Sequence, residues 1–96
     1  MNFRIEAARP QDCAVLVELI RALADYEKLA HLVQTTEEQV QAELFGPAPV
    51  IEALIGWEVA RGGTRAVAFA LYFHNYSTFL ARSGLYLEDL FVVPEA

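Results

Sequence analysis

The sequence has few of the residues that would point to an oxidising compartment or to nucleic acid. Its single cysteine, Cys13, excludes an internal disulfide and fits the cytoplasm. Only 7 lysines and arginines stand against 13 acids, and the net charge of -6 argues against a nucleic-acid partner, which needs a basic surface. This acidity is compatible with a cationic small-molecule partner, although it would also serve solubility alone.

Long hydrophobic runs are also missing. No stretch approaches the roughly 18 uninterrupted apolar residues of a membrane span. The opening MNFRIEAARP lacks the apolar region of a secretory signal, so we expect a cytoplasmic protein with no membrane partner. The hydrophobic fraction is nevertheless 55%, which is above the average of soluble domains. A chain of 96 residues has a small interior and cannot easily bury so many apolar side chains. This surplus predicts that a partner, an oligomer or a further part of the domain covers apolar surface.

Hydrophobic periodicity predicts a strand followed by two helices in the first half of the chain. Residues 3–7 alternate as in a strand. A helix is predicted from about Pro10 to Lys28, because its leucines and isoleucine recur at spacings of three and four. Thr36 is the expected N-cap of a second helix, with Gln39 completing a capping box. That helix is predicted over Glu37 to Phe45, before Gly46 and Pro47.

From Val50 the period changes to two, which predicts three further strands. Residues 51–59 and 67–73 are joined by a hairpin at 61–65, where both Gly62 and Gly63 are expected to have positive φ. A turn-rich segment over 75–84 precedes a last strand over 85–93. The predicted fold is therefore α/β (α+β), with element order β-α-α-β-β-β and a mostly antiparallel sheet in one domain, residues 1–96.

Most candidate reactive residues have ordinary structural explanations. Cys13 has no histidine or aspartate at a useful spacing, so a small buried thiol is favoured over a nucleophile. His31 and His74 lie in different elements without a neighbouring cysteine, and no metal site is predicted.

Two adjacent carboxylates, Glu88 and Asp89, interrupt the apolar last strand. Strict alternation predicts that Asp89 shares a face with Leu85, Leu87, Phe91 and Val93, and Glu88 a face with Tyr86, Leu90 and Val92. Because both faces are otherwise apolar, the strand is predicted to be central in the sheet. The acids then either pair with an arginine such as Arg82, face solvent at a strand end, or line a functional cleft. The local sequence leaves these alternatives open.

Five segments together resemble the N-terminal half of the GNAT acetyltransferase superfamily, in particular its diamine acetyltransferase branch (spermidine/spermine and thialysine acetyltransferases). The most specific is GLYLEDLFVVPE (84–95). The others are IEAARPQDC (5–13), LIRALADYEKL (19–29), TTEEQVQAELFG (35–46) and VAFALYFHNYSTF (67–79).

The resemblance implies transfer of an acetyl group from acetyl-CoA to a primary amine by direct attack. It implies that Glu88 is catalytic and accepts the amine proton, and that Asp89 adds negative charge near the substrate. Tyr26 and Glu27 match positions that contact the polyamine. The backbone at Leu90, Phe91 and Val92 matches positions that bind acetyl-CoA. A proton acceptor is chemically necessary, since an alkyl amine with a pKa of about 10.4 is protonated at neutral pH.

Two departures from the branch qualify what the resemblance implies. Ser77 and Phe79 stand where the branch usually has an acid and a tryptophan, which weakens the case for a long polyamine and leaves room for a smaller amine or a thialysine-like substrate. The loop and helix that bind the CoA pyrophosphate in the family are not found, so residues 1–96 match a partial domain. We expect the isolated chain to be inactive and to form a homodimer or associate through its last strand. A non-catalytic dimerising module that binds a cationic ligand or protein, or a degenerate fragment, are the alternatives.

Overall fold

The computed structural model describes residues 2–95 and confirms the predicted order of elements. Four strands form one antiparallel sheet in the order β1-β2-β3-β4, and two helices pack on one face. The elements are β1 (Asn2–Ala7), a 3-10 turn (Pro10–Asp12), α1 (Cys13–Tyr26), a second 3-10 turn (Ala30–Leu32), α2 (Glu37–Phe45), β2 (Glu52–Ala60), β3 (Gly63–Ser77) and β4 (Arg82–Val92). No helix within residues 2–95 is long and apolar enough to cross a membrane.

The C-terminal end of α1 is fixed by a Schellman motif, which ends the helix two residues before the predicted Lys28. The Leu29 amide donates to the Ala24 carbonyl at 2.7 Å, and the Lys28 amide donates to the Asp25 carbonyl at 3.0 Å. Lys28 occupies the left-handed position with φ of 62°. The motif therefore sets where the chain leaves the helix, directly after Tyr26.

Helix α2 begins and ends as predicted. The Thr36 side chain accepts a hydrogen bond from the Gln39 amide at 3.2 Å, while the Gln39 side chain accepts one from the Thr36 amide at 3.0 Å. The helix ends at Phe45, and Gly46 follows as its C-cap. Val40 is its buried contact with the core.

The hydrophobic core lies between the helices and one face of the sheet. Leu16 of α1, Ile55 of β2 and Phe69 of β3 are almost completely buried there. Cys13 is buried beside them, and its Sγ donates to Gln41 Oε1 at 3.3 Å. Burial raises the pKa of the Cys13 thiol, and neighbouring carboxylates raise it further, so the side chain is a structural thiol as predicted.

The two hairpins differ from their predicted boundaries. In the β2–β3 hairpin Gly63 alone has positive φ, at 126°, so the prediction for Gly62 was wrong. Strand β3 continues to Ser77 and β4 begins at Arg82, because the polar residues of 75–77 pair with 82–84. The predicted turn over 75–84 is thereby reduced to residues 78–81, since cross-strand pairing outweighs the turn preference of those side chains.

The other face of the sheet remains open in the described residues. Ile5, Leu87, Leu90 and Val92 are each more than half exposed. Within residues 2–95 strand β4 pairs only with β3, so it is an edge strand of this sheet and the prediction of a central strand was wrong. Apart from the buried Phe91, the apolar residues of β4 are exposed, in line with the surplus of hydrophobic residues in the sequence.

Candidate active site

A β-bulge interrupts β4 at the two carboxylates. Asp89 pairs with Leu71 of β3, whereas the next residue of β3, Tyr72, pairs with Leu87. Glu88 is therefore one extra residue on β4, without a partner across the strand pair. Bulges of this kind re-aim side chains and are frequent beside active sites.

The bulge overturns the predicted distribution of side chains between the two faces of β4. Asp89 and Phe91 lie on the helix side of the sheet, as their pairing with core residues requires. In residues 82–87, before the bulge, the alternation of faces is the reverse of the predicted one. Tyr86 therefore lies on the same face as its partner Phe73, with ring centroids 5.0 Å apart. Leu87 and its neighbour Leu85 consequently share the opposite face from Asp89, contrary to strict alternation.

The residues predicted to contact the amine are brought together beneath the C-terminal end of α1. Tyr26, the last residue of that helix, packs on Phe91 with ring centroids 6.1 Å apart. Burial raises the pKa of the Asp89 carboxyl, and the nearby charges of Glu88 and Glu27 raise it further. Three acids, two on β4 and one directly after α1, therefore share one electrostatic environment, next to an exposed tyrosine.

No cation of the described residues neutralises this group. Among residues 2–95, none of the ion pairs involves Glu27, Glu88 or Asp89. Arg82 lies six residues before Glu88 on an extended strand, a separation of about 20 Å. The alternative in which Arg82 pairs with these carboxylates is therefore wrong, and the acids are available to a positively charged ligand.

The stability of the protein is expected to depend on the charge of Asp89. Its pKa is raised in the folded state, so the unfolded state loses this proton first and stability falls as the pH rises through that range. Asp89→Asn removes the titration. We expect the variant to be more stable than the parent at pH 7 and the difference to disappear near pH 3, measured as free energies of unfolding in urea.

Glu18→Gln, at an exposed position in the middle of α1, is the control for a general loss of negative charge. An equal gain of stability at pH 7 for both variants would contradict a specific effect of the environment of Asp89.

The predicted acetyl-CoA-binding segment, residues 90–92, follows the bulge directly. Its residues pair with residues 68–70 of β3 on one side only. Within residues 2–95 no strand pairs with the other edge of β4, so backbone groups on that edge are open to a ligand. The role of Leu90, Phe91 and Val92 in binding acetyl-CoA stays a prediction.

Asp89 also lines a cleft between the helices and the sheet that the sequence did not predict. Two polar side chains line it: Thr35, which lies just before α2, and Glu43, which belongs to that helix. Both lie in the segment TTEEQVQAELFG, where they read as ordinary polar residues of an amphipathic helix and the loop before it. Only the packing of α2 over the sheet brings them opposite β4.

Two solved structures of acetyltransferases share the fold of this chain. No protein-family model matches the chain. An aminoglycoside acetyltransferase from an uncultured soil metagenomic sample superposes with a TM-score of 0.74 at 15% identity, covering 99% of this chain and 60% of that one. A possible acetyltransferase from Clostridium difficile 630 superposes with a TM-score of 0.69 at 16% identity. At these identities the likeness shows the fold alone.

Sequence similarity points to the same group of enzymes. Thialysine N-epsilon-acetyltransferase of Mus musculus is 40% identical over 96 residues, which is 96% of this chain and 56% of that protein. Spermidine/spermine N(1)-acetyltransferase-like protein 1 of Homo sapiens is 30% identical over 93 residues, covering 94% of this chain and 13% of that protein. The resemblance to the diamine acetyltransferase branch is thus confirmed. The chain spans about half the length of the thialysine acetyltransferases it matches.

Proposed function

We propose that this chain forms the amine-binding and proton-accepting side of an N-acetyltransferase active site. The reaction transfers an acetyl group from acetyl-CoA to a primary amine of a small polyamine or diamine-like substrate. The observation that carries the proposal is the group of carboxylates at the β4 bulge, Glu88, Asp89 and Glu27, which has no basic partner within residues 2–95.

These carboxylates meet the chemical requirement of amine acetylation. The substrate arrives as an ammonium ion, whose nitrogen has no free electron pair until it loses a proton. Glu88, exposed at the bulge, accepts that proton directly or through one water. The charges of Asp89 and Glu27 hold the cation nearby. Acetyl-CoA supplies the activated acetyl thioester when it is bound, and the unpaired edge of β4 offers backbone donors and acceptors for its arm.

Activity is best tested in a chimera, because the chain covers 56% of the mouse relative. The chimera joins residues 1–96 to the part of that enzyme that the chain does not cover. We expect it to release CoA from acetyl-CoA in the presence of thialysine or a short diamine, while the 96-residue chain alone shows no turnover. A thiol reagent measures the CoA released.

The activity of the chimera can be interpreted only if the chimera is folded and binds acetyl-CoA. Calorimetry with acetyl-CoA and circular dichroism test both conditions. A folded chimera that binds acetyl-CoA but acetylates none of these amines would contradict the proposed function. If the amine nevertheless bound, the non-catalytic cation-binding alternative would be favoured.

A further inference from the structure

A cleft extends from Asp89 into the space between α1, α2 and the sheet. Its apolar lining includes Ile20 of α1, Leu71 of β3 and Ile51, which lies just before β2. Its polar lining includes Thr35 and Glu43, together with Asp89 itself. Of the residues that the structure describes, no lysine, arginine or histidine lines this cleft. The cleft therefore offers a hydrocarbon surface with negative charge and no positive charge, which suits an alkyl cation.

The two carboxylates of the cleft belong to different elements, Asp89 to β4 and Glu43 to α2. Asp89 belongs to the group at the bulge, because Glu88 and Glu27 are the charges that raise its pKa. Glu43 belongs to α2 and lines the same cleft from the helix side. A ligand that satisfies both ends must therefore carry two positive charges with an apolar connection between them.

Glu43 is free to bind such a ligand without loss of structure. Its side chain makes no ion pair or hydrogen bond with another described residue, and it is exposed. The structural contribution of this residue comes from its backbone carbonyl, which accepts a hydrogen bond from the Val50 amide at 2.9 Å. Removing the charge of Glu43 should leave α2 and the following loop intact.

We propose that this cleft binds the distal ammonium group of an alkyl diamine, with Glu43 as its partner. The assignment rests on the proposed function, since it takes the reacting amino group to lie at Glu88 and Asp89. The methylene chain then crosses Leu71, Ile51 and Ile20, and the second ammonium group reaches Glu43. Glu43 is thereby a specificity-determining residue that distinguishes diamines from monoamines of equal length.

Binding to the full 96-residue chain tests this assignment without acetyl transfer. The probes are 1,5-diaminopentane and n-pentylamine, titrated at low ionic strength and followed by NMR. We expect the diamine to shift methyl resonances of Ile20, Ile51 and Leu71 and to bind more tightly than the monoamine. Glu43→Gln should weaken diamine binding about two- to fivefold and leave monoamine binding unchanged, as loss of one exposed ion pair predicts.

Glu38→Gln is the matched control, because Glu38 is an exposed acid of the same helix and does not line the cleft. Equal weakening by both variants, or equal affinity for the two amines in the parent chain, would overturn the assignment. Should Glu43→Gln perturb the fold, the methyl shifts of the parent decide: shifts elsewhere than in the cleft refute it. Acetylation by the chimera together with a negative binding result would reject the cleft and leave the proposed function standing.

Discussion

Glu88→Gln in the chimera is expected to lower kcat about a hundredfold or more at neutral pH. The amide keeps the size and polarity of the side chain but cannot accept the amine proton, and positioned general bases contribute 10²–10⁴-fold in rate. The affinity for acetyl-CoA should be unchanged, because Glu88 is the unpaired residue of the bulge and precedes the segment predicted to bind that ligand.

The pH profile separates a catalytic role of Glu88 from a structural one. As the pH approaches the amine pKa of about 10.4, the substrate arrives already deprotonated. The ratio of parent to variant rates should therefore narrow steadily with rising pH. Glu18→Gln, at an exposed position of α1 outside the site, is the control and should leave the rate unchanged at every pH. A variant that retains full turnover at pH 7 would remove Glu88 from the mechanism.

Phe69→Ala is expected to have the largest effect on stability, a loss of about 3–5 kcal/mol. Phe69 is 1% exposed and lies at the centre of β3, where it contacts the core from the sheet side. It also packs near Phe91 of β4, with ring centroids 6.4 Å apart. Its removal leaves a cavity between the sheet and the helices, and small domains have only about 5–15 kcal/mol of stability in total.

A second phenylalanine of the same strand pair provides the control for this prediction. Phe79, in the turn between β3 and β4, is 98% exposed, so Phe79→Ala should change stability by no more than about 0.5 kcal/mol. Urea unfolding followed by circular dichroism measures both. If Phe69→Ala is too unstable to fold, Phe69→Leu should give a smaller loss of the same sign. Equal stability of the Phe69 and Phe79 variants would contradict the assigned core.

Local patterns predicted the helices and the order of strands well, because each of those features depends on neighbours in sequence. The capping box at Thr36 and the stop at Gly46 are examples in which side-chain and backbone hydrogen bonds span only three or four residues. The end of α1 was less predictable, since Lys28 adopts a left-handed conformation that its residue type does not favour.

The candidate site was only partly predictable. The pair of carboxylates stood out in the sequence, and the resemblance supplied Tyr26 and Glu27. The faces of β4 could not be derived from alternation, because a bulge depends on which residues of β3 lie opposite. The position of Glu43 near β4 likewise depends on how α2 packs over the sheet, which no short segment encodes.

The extra residue at position 88 makes the length of this strand as important as its composition. The alternation of side chains between the two faces is shifted by one residue number between residues 82–87 and residues 89–92. Deleting Glu88 would leave residues 82–87 and 89–92 opposite their present partners on β3, so Leu85, Leu87 and Tyr86 would keep their faces and only the bulge would be lost. Homologous sequences with a gap at this point would therefore keep the pairing of the hairpin arm and lose the local bend and twist that the bulge gives the strand beside the carboxylates.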